Sequence, residues 1–117
     1  MEWEIKPEGN GNVLILRGSA TLPYASELKD ALAAIIAASG DVTIDVQDIQ
    51  EFDLAGLQLL GSAHHSAVAQ ARTFQLLDNQ ATFREAVFTA GFNRKKGCNA
   101  CPGEAPCLWV INDQPEA

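Results

Sequence analysis

Apolar residues along this chain recur with a spacing that switches between two and three-to-four. Trp3-Glu4-Ile5-Lys6-Pro7 alternates and reads as a short edge strand that Pro7 ends. Gly9-Asn10-Gly11-Asn12 is a turn cluster, because Gly and Asn tolerate positive φ. Val13-Leu14-Ile15-Leu16-Arg17-Gly18 opens with a continuous apolar, β-branched run and predicts a central strand buried on both faces, paired with the first as a hairpin. From Tyr24 to Ala38 the period changes: Leu28, Leu32, Ile35 and Ile36 form a helical stripe, with Glu27, Lys29 and Asp30 opposite. Pro23 suits the first turn, and Ser39-Gly40 stops the helix, with Gly as a left-handed cap. Val42-Thr43-Ile44-Asp45-Val46 is strand-like. Asp53 then N-caps a helix running on through Ala71, with Leu57, Leu60, His64, Ala67 and Val68 on one face. Phe74-Gln75-Leu76-Leu77 is the last strand. Asp78-Asn79 caps a third helix, in which Phe83, Val87 and Ala90 share a face and which Gly91 ends.

The order β-β-α-β-α-β-α implies parallel pairing with right-handed crossovers. The fold class is α/β, a single domain with a mixed sheet of four or five strands. Residues 1–92 form the domain and 93–117 a C-terminal extension, which carries Arg94, Lys95, Lys96 and all three cysteines. Leu108-Trp109-Val110-Ile111 would add a strand or cover a helix, so the extension is expected to pack on the domain. Left exposed, that run would be a docking strip or the seam of a homodimer.

With 117 residues, 47% apolar and 20% charged, the composition is that of one ordinary globular domain. The net charge of −7 argues against nucleic acid or anionic membrane as the main partner, since both need a basic face. The longest apolar run, Ala31–Ala38, is far short of the ~20 residues of a membrane helix. Met1-Glu2-Trp3-Glu4 is acidic where a secretory signal is basic, which points to a cytoplasmic protein.

The start of the second helix is the first candidate for function. A helix N-terminus presents unpaired N–H groups and a partial positive charge, so it accepts anions or a partner's polar groups. Leu54 and Ala55 should stand exposed in the first turn while Leu57 turns inward. Gly56 costs about 1 kcal/mol in helix propensity against Ala, which implies that another backbone comes close. Spacing alone leaves two readings: Asp53 as a plain cap with Gly56 packing on the sheet, or a docking point. Thr21-Leu22-Pro23-Tyr24, before the first helix, is a second patch. There Tyr24 is either an interface anchor or a staple on Leu28.

Other groups carry less. Cys98-Asn99-Ala100-Cys101 with Cys107 falls one ligand short of the four that Zn²⁺ or an iron–sulfur cluster normally takes, unless His64 or His65 completes the set. Plain thiols, a local disulfide, a metal site and redox sensing near Lys95 and Lys96 all remain open, and no cofactor is expected. His64 lies on the apolar face and reads as a satisfied, partly buried imidazole, with His65 solvated. No catalytic triad, phosphate-binding glycine loop or paired-carboxylate motif occurs, so the chain is not expected to be an enzyme.

Asp53-Leu54-Ala55-Gly56-Leu57-Gln58-Leu59-Leu60, opening a helix directly after a Val-, Ile- and Asp-rich strand, resembles the STAS family over residues 3 to 92. That family covers anti-sigma factor antagonists and cytosolic domains of sulfate transporters, and commonly reads Asp-Ser-Ser-Gly-Leu at this place. The resemblance implies a STAS-like fold and a non-catalytic interaction module in bacterial signalling, an anti-sigma factor antagonist or a chemotaxis-linked adaptor. It would bind an anti-sigma-type ATP-binding kinase or another signalling protein through Leu22, Pro23, Tyr24, Asp53, Leu54, Ala55 and Gly56. The starts of the first two helices lie near each other in such folds. In the antagonists the partner kinase phosphorylates the second Ser of the motif. Ala55 stands there, without a hydroxyl, and Leu54 removes the neighbouring one; Ser19, Thr21 and Ser62 are nearby hydroxyls that nothing marks as acceptors. The motif is closer to Asp-Thr-Ala-Gly-Leu, found in lipid-transport complexes and some chemotaxis clusters. An accessory subunit of an ABC-type lipid-transport ATPase is therefore the alternative, and a metal-binding or redox-sensing protein built on Cys98, Cys101 and Cys107 a third.

Overall fold

The changes of period become four strands and three α-helices in the computed structural model, which describes residues 1–78 and 81–92. Strands β1 (Glu2–Glu8), β2 (Gly11–Ala20), β3 (Asp41–Phe52) and β4 (Phe74–Leu77) lie in that order in one sheet. β1 runs antiparallel to β2, while β2, β3 and β4 are parallel, giving the mixed α/β, STAS-like sheet the sequence implies. A 3-10 turn at Leu22–Tyr24 leads into α1 (Ala25–Ala37); α2 (Leu54–Ala69) and α3 (Ala81–Ala90) follow β3 and β4. The core joins one sheet face (Leu14, Leu16, Val42, Ile44, Val46) to Leu28, Leu32 and Ile35 of α1, Leu57 and Leu60 of α2, and Phe83 and Val87 of α3.

Several expectations are corrected. Pro7 does not end β1 but pairs with Asn12, because an edge strand has a row of N–H positions with no ladder partner to lose. β2 is central, yet it is not buried on both faces: Leu14 and Leu16 are covered by helices, whereas Ile15 and Arg17 opposite are half-buried. There Arg17 pairs with Glu4 of β1 at 2.9 Å, and this bond holds the Glu4 carboxyl below its usual range. β3 extends to Phe52, well beyond Val46. Its pairing with β2 shifts register twice, between Ile15 and Arg17 and between Gly18 and Ser19, so β3 carries extra residues. Asp45 Oδ1 accepts from the Gln47 N–H at the first shift. α2 ends at Ala69, Val68 is half-buried, and Ala90 of α3 is exposed. Asn79, the residues 93–117 and hence Cys98, Cys101, Cys107 and Trp109 lie outside the described residues.

Gly40 is not the left-handed cap of α1. The helix already breaks at Ala38, which is extended, and Gly40 at φ 98° instead steers the chain past Asn10 into β3. The orphan carbonyls of α1 are met by Arg72 from the loop after α2. Its guanidinium donates to Gly40 O at 2.7 Å, Ile36 O at 2.6 Å and Ala38 O, and to Gln70 Oε1 at 2.9 Å. A positive side chain at a helix C-terminus also complements the helix dipole. Arg72 is aimed there by a left-handed turn: Ala71 sits at φ 57°, with Ala71 N–H bonded to Val68 O and Arg72 N–H to Ala67 O.

Charge-assisted bonds contribute roughly 1.5–3 kcal/mol when truncation strands their partners, so Arg72→Ala should lower unfolding free energy by about 2–3 kcal/mol. Arg72→Lys should restore only part of that, since an ammonium cannot fork across several carbonyls. Ala71→Gly should raise stability by about 0.5 kcal/mol: relief of roughly 1–2 kcal/mol of left-handed strain exceeds the 0.4–1 kcal/mol of added chain entropy. Urea melts of the three variants measure all of this.

Candidate functional site

Asp53 stands at the end of β3, just where α2 begins, and its backbone is extended as an N-cap requires. Its two carboxylate oxygens serve different helices. Oδ1 accepts from the Gly56 N–H at 3.0 Å, closing the first turn of α2. Oδ2 accepts from the Leu22 N–H at 2.9 Å, at the start of the 3-10 turn before α1. The Asp53 N–H itself donates to Ala20 O at 3.3 Å. One residue, through its carboxylate and its backbone N–H, therefore ties the starts of two helices to the ends of two parallel strands.

Gly56 completes the tie. It is buried against the end of β2, and a Cβ there would fall inside the van der Waals shell of the Ala20 carbonyl oxygen. The backbone whose approach the sequence implied is thus the chain's own, and Gly56 shapes the tip from beneath. Above it the surface is apolar and open. Leu22 is 69% exposed, Leu54 52% and Tyr24 39%, with Pro23 also exposed and Ala55 half-buried. Tyr24 caps the turn through its own N–H, which donates to Thr21 O at 2.8 Å. Thr21 is buried, Ser19 half-buried in β2, and Ser62 exposed about two turns down α2.

Beside the tip lies a feature that the sequence analysis does not anticipate. A groove of about 610 Å³ runs from the tip between the end of β3 and α3. Phe52, Leu54, Leu57 and Ala86 give it an apolar lining, with Glu51 and Glu85 beside them. Phe52 is braced edge-on by Phe83 of α3, ring centres 5.4 Å apart. The elements that make this groove are distant in sequence, which is why no local motif announces it.

The histidines keep the faces the sequence predicts, but His64 is fully and not partly buried. His64 is fully buried in the core, edge-on to Phe74 at 5.3 Å, and His65 is exposed. Burial first, and the neighbouring His65 second, push the His64 pKa below its usual range. Among the described residues no group of His, Cys, Asp and Glu is placed to hold a metal ion. No helix among them is long and apolar enough to cross a membrane.

Comparison with known proteins bears on this geometry. The family model described as "Mlab, STAS domain" matches residues 3–97. No curated protein matches the chain. Among solved structures, the anti-sigma factor antagonist SpoIIAA in its unphosphorylated form superposes with a TM-score of 0.58 at 16% identity, covering 72% of this chain and 79% of that one. An antisigma-factor antagonist STAS domain from Rhodobacter sphaeroides gives 0.50 at 20% identity, over 73% and 87% of the two chains. A structure of Mglu gives 0.55 at 20% identity over 66% of this chain, which spans only 19% of Mglu.

Two kinds of outcome test this geometry, the first being the loss of stability on substitution at the tip, read from urea melts. Asp53→Ala should destabilise by about 2 kcal/mol, one for the lost cap and one for the Leu22 bond, and Gly56→Ala by about 1–3 kcal/mol despite its better helix propensity. The second concerns pH. An unfolded histidine titrates near 6.5, whereas folded His64 resists protonation, so the unfolded chain binds the extra proton. Stability should fall as pH drops through and below about 6.5, with a slope of at most about 1.4 kcal/mol per pH unit, and His64→Leu should flatten that slope.

Proposed function

The chain belongs to the STAS family, and from that footing we propose that it is a non-catalytic docking module, gripped by a protein partner at the tip Asp53 assembles. The observation that carries this reading is the exposure of Leu22 and Leu54 on either side of a carboxylate whose two oxygens are both engaged internally. Large apolar side chains on a backbone already tied down at a helix start are suited to fill a partner's pocket, because little backbone ordering entropy remains to be lost on binding. Tyr24 and Pro23 extend that surface. Nothing on it combines a nucleophile with a base, so binding and not turnover is the activity proposed.

The partner class is an anti-sigma-type ATP-binding kinase or another signalling protein of the cytoplasm. By the family resemblance, Ala55 occupies the place of the serine such a kinase modifies in the antagonists. A phosphate there would bring about −1.5 to −2 charges onto an apolar tip and disrupt docking. Ala55 offers no oxygen to carry it, so docking through this tip is constitutive, or governed elsewhere. The description of the matching family model as Mlab favours a second reading, an accessory subunit of an ABC-type lipid-transport ATPase. Both readings use the same tip and differ in which ATPase is held. The cysteine segment and any homodimer form no part of either.

Affinity purification of the full chain should capture one ATP-binding protein, and the class of that protein chooses between the two readings. Leu22→Asp and Leu54→Asp should each weaken capture by about 30-fold or more, as loss of a central anchor of 2 kcal/mol or more does. Where the partner is a kinase, Ala55→Ser should take up phosphate from ATP while the native chain takes up none. Capture that survives both tip substitutions, or substrate turnover by the isolated chain, would overturn the reading.

A further inference from the structure

The groove beside the tip differs from it in chemistry. The tip is apolar, while the groove sets Phe52, Leu54, Leu57 and Ala86 next to the carboxylates of Glu51 and Glu85. Both glutamates are exposed, and neither has an ion-pair partner among the described residues. Asp53, which also lines the groove, adds a third negative charge. Among the described residues no lysine or arginine lines it, although Arg84 precedes Glu85 on α3. Carboxylates flanking an apolar floor repel each other and attract cations, and a floor of this kind is best covered by apolar side chains. An occupant that satisfies both alternates basic and apolar residues.

We propose that this groove docks a basic amphipathic segment of the same partner that grips the tip, its apolar side chains lying over Phe52, Leu57 and Ala86 and its Lys or Arg reaching Glu51 and Glu85. The inference rests on the docking reading and extends it. Leu54 belongs to both surfaces, so tip and groove form one continuous face. Charge complementarity of this kind steers encounter and selects partners more than it adds affinity, and the net charge of −7 supports the same sign of attraction at longer range. The tip then supplies the anchor and the groove decides which protein is accepted.

The experiment uses the full chain and a fluorescent probe peptide alternating Lys and Leu, with a Glu-and-Leu peptide as its counterpart. Anisotropy should show saturable binding of the basic probe, weakening with salt, and none of the acidic one. The double substitution E51K with E85K should weaken binding about tenfold. The matched reversal E8K with D30K, both exposed and away from the groove, changes net charge equally and should leave binding unaltered. Ala86→Trp, which fills the floor and keeps every charge, should also abolish binding; circular dichroism shows that each variant folds. The inference is overturned if the matched reversal weakens binding as much, since attraction would then be diffuse, or if Ala86→Trp leaves it intact. It is overturned as well if K95E with K96E raises affinity, because the groove's occupant would then be the chain's own C-terminal segment. Partner capture without groove-dependent probe binding sinks this inference alone, whereas probe binding with no captured partner sinks the docking reading.

Discussion

The Asp53 carboxylate is the constraint on which the end of the sheet around Leu22 and Leu54 depends. A helix start normally satisfies its own orphan N–H groups with one capping oxygen and leaves the other to water. Here the second oxygen is spent on Leu22, in a different turn at the other side of a crossover. That double use sets the separation of two helix tips, and with it the placement of Leu22, Tyr24 and Leu54. Gly56 is required by the same arrangement, because the Ala20 carbonyl occupies the space any larger residue would need. Asp and Gly in the motif are thus explained by internal geometry; of the two residues between them Leu54 faces outward, whereas Ala55, expected to be exposed, is half-buried.

The opposite end of the parallel strands is held by a comparable device with the charges exchanged. There an arginine meets carbonyls at the end of α1, where the helix dipole is negative; at the tip a carboxylate meets N–H groups, where it is positive. Each end of the α1 region is therefore closed by a side chain from a later part of the chain. The helices are fixed lengthwise by these polar ties and sideways by the Leu, Ile and Val core.

Much of this was legible in the sequence. Element order followed from the change of period, the buried position of His64 from its place behind Leu57 and Leu60, and Asp53 as a cap from its position before an apolar run. What could not be read has physical reasons. The full length of β3 was hidden because its register shifts put Val46 and Ile49 three residues apart on the buried side, which breaks the alternation of a regular strand. Arg72 gave no local signal, since the carbonyls it serves belong to residues 36, 38 and 40. Gly56 pointed to a close backbone approach but not to Ala20, and the groove along α3 exists only once β3 and α3 have packed.

The parallel pairing of β2 with β3 has a consequence for when the docking face comes into being. Parallel neighbours cannot meet through a tight turn; the intervening α1 must close first, a slow, non-local step in folding. Leu22 and Asp53 lie beyond the last rungs of that ladder, so their bond forms only after the strands have zipped to their ends. A chain caught midway, or one emerging from the ribosome with β3 unfinished, has no grip to offer. On the proposed docking reading, a partner meets only chains whose β2–β3 ladder has closed to its end.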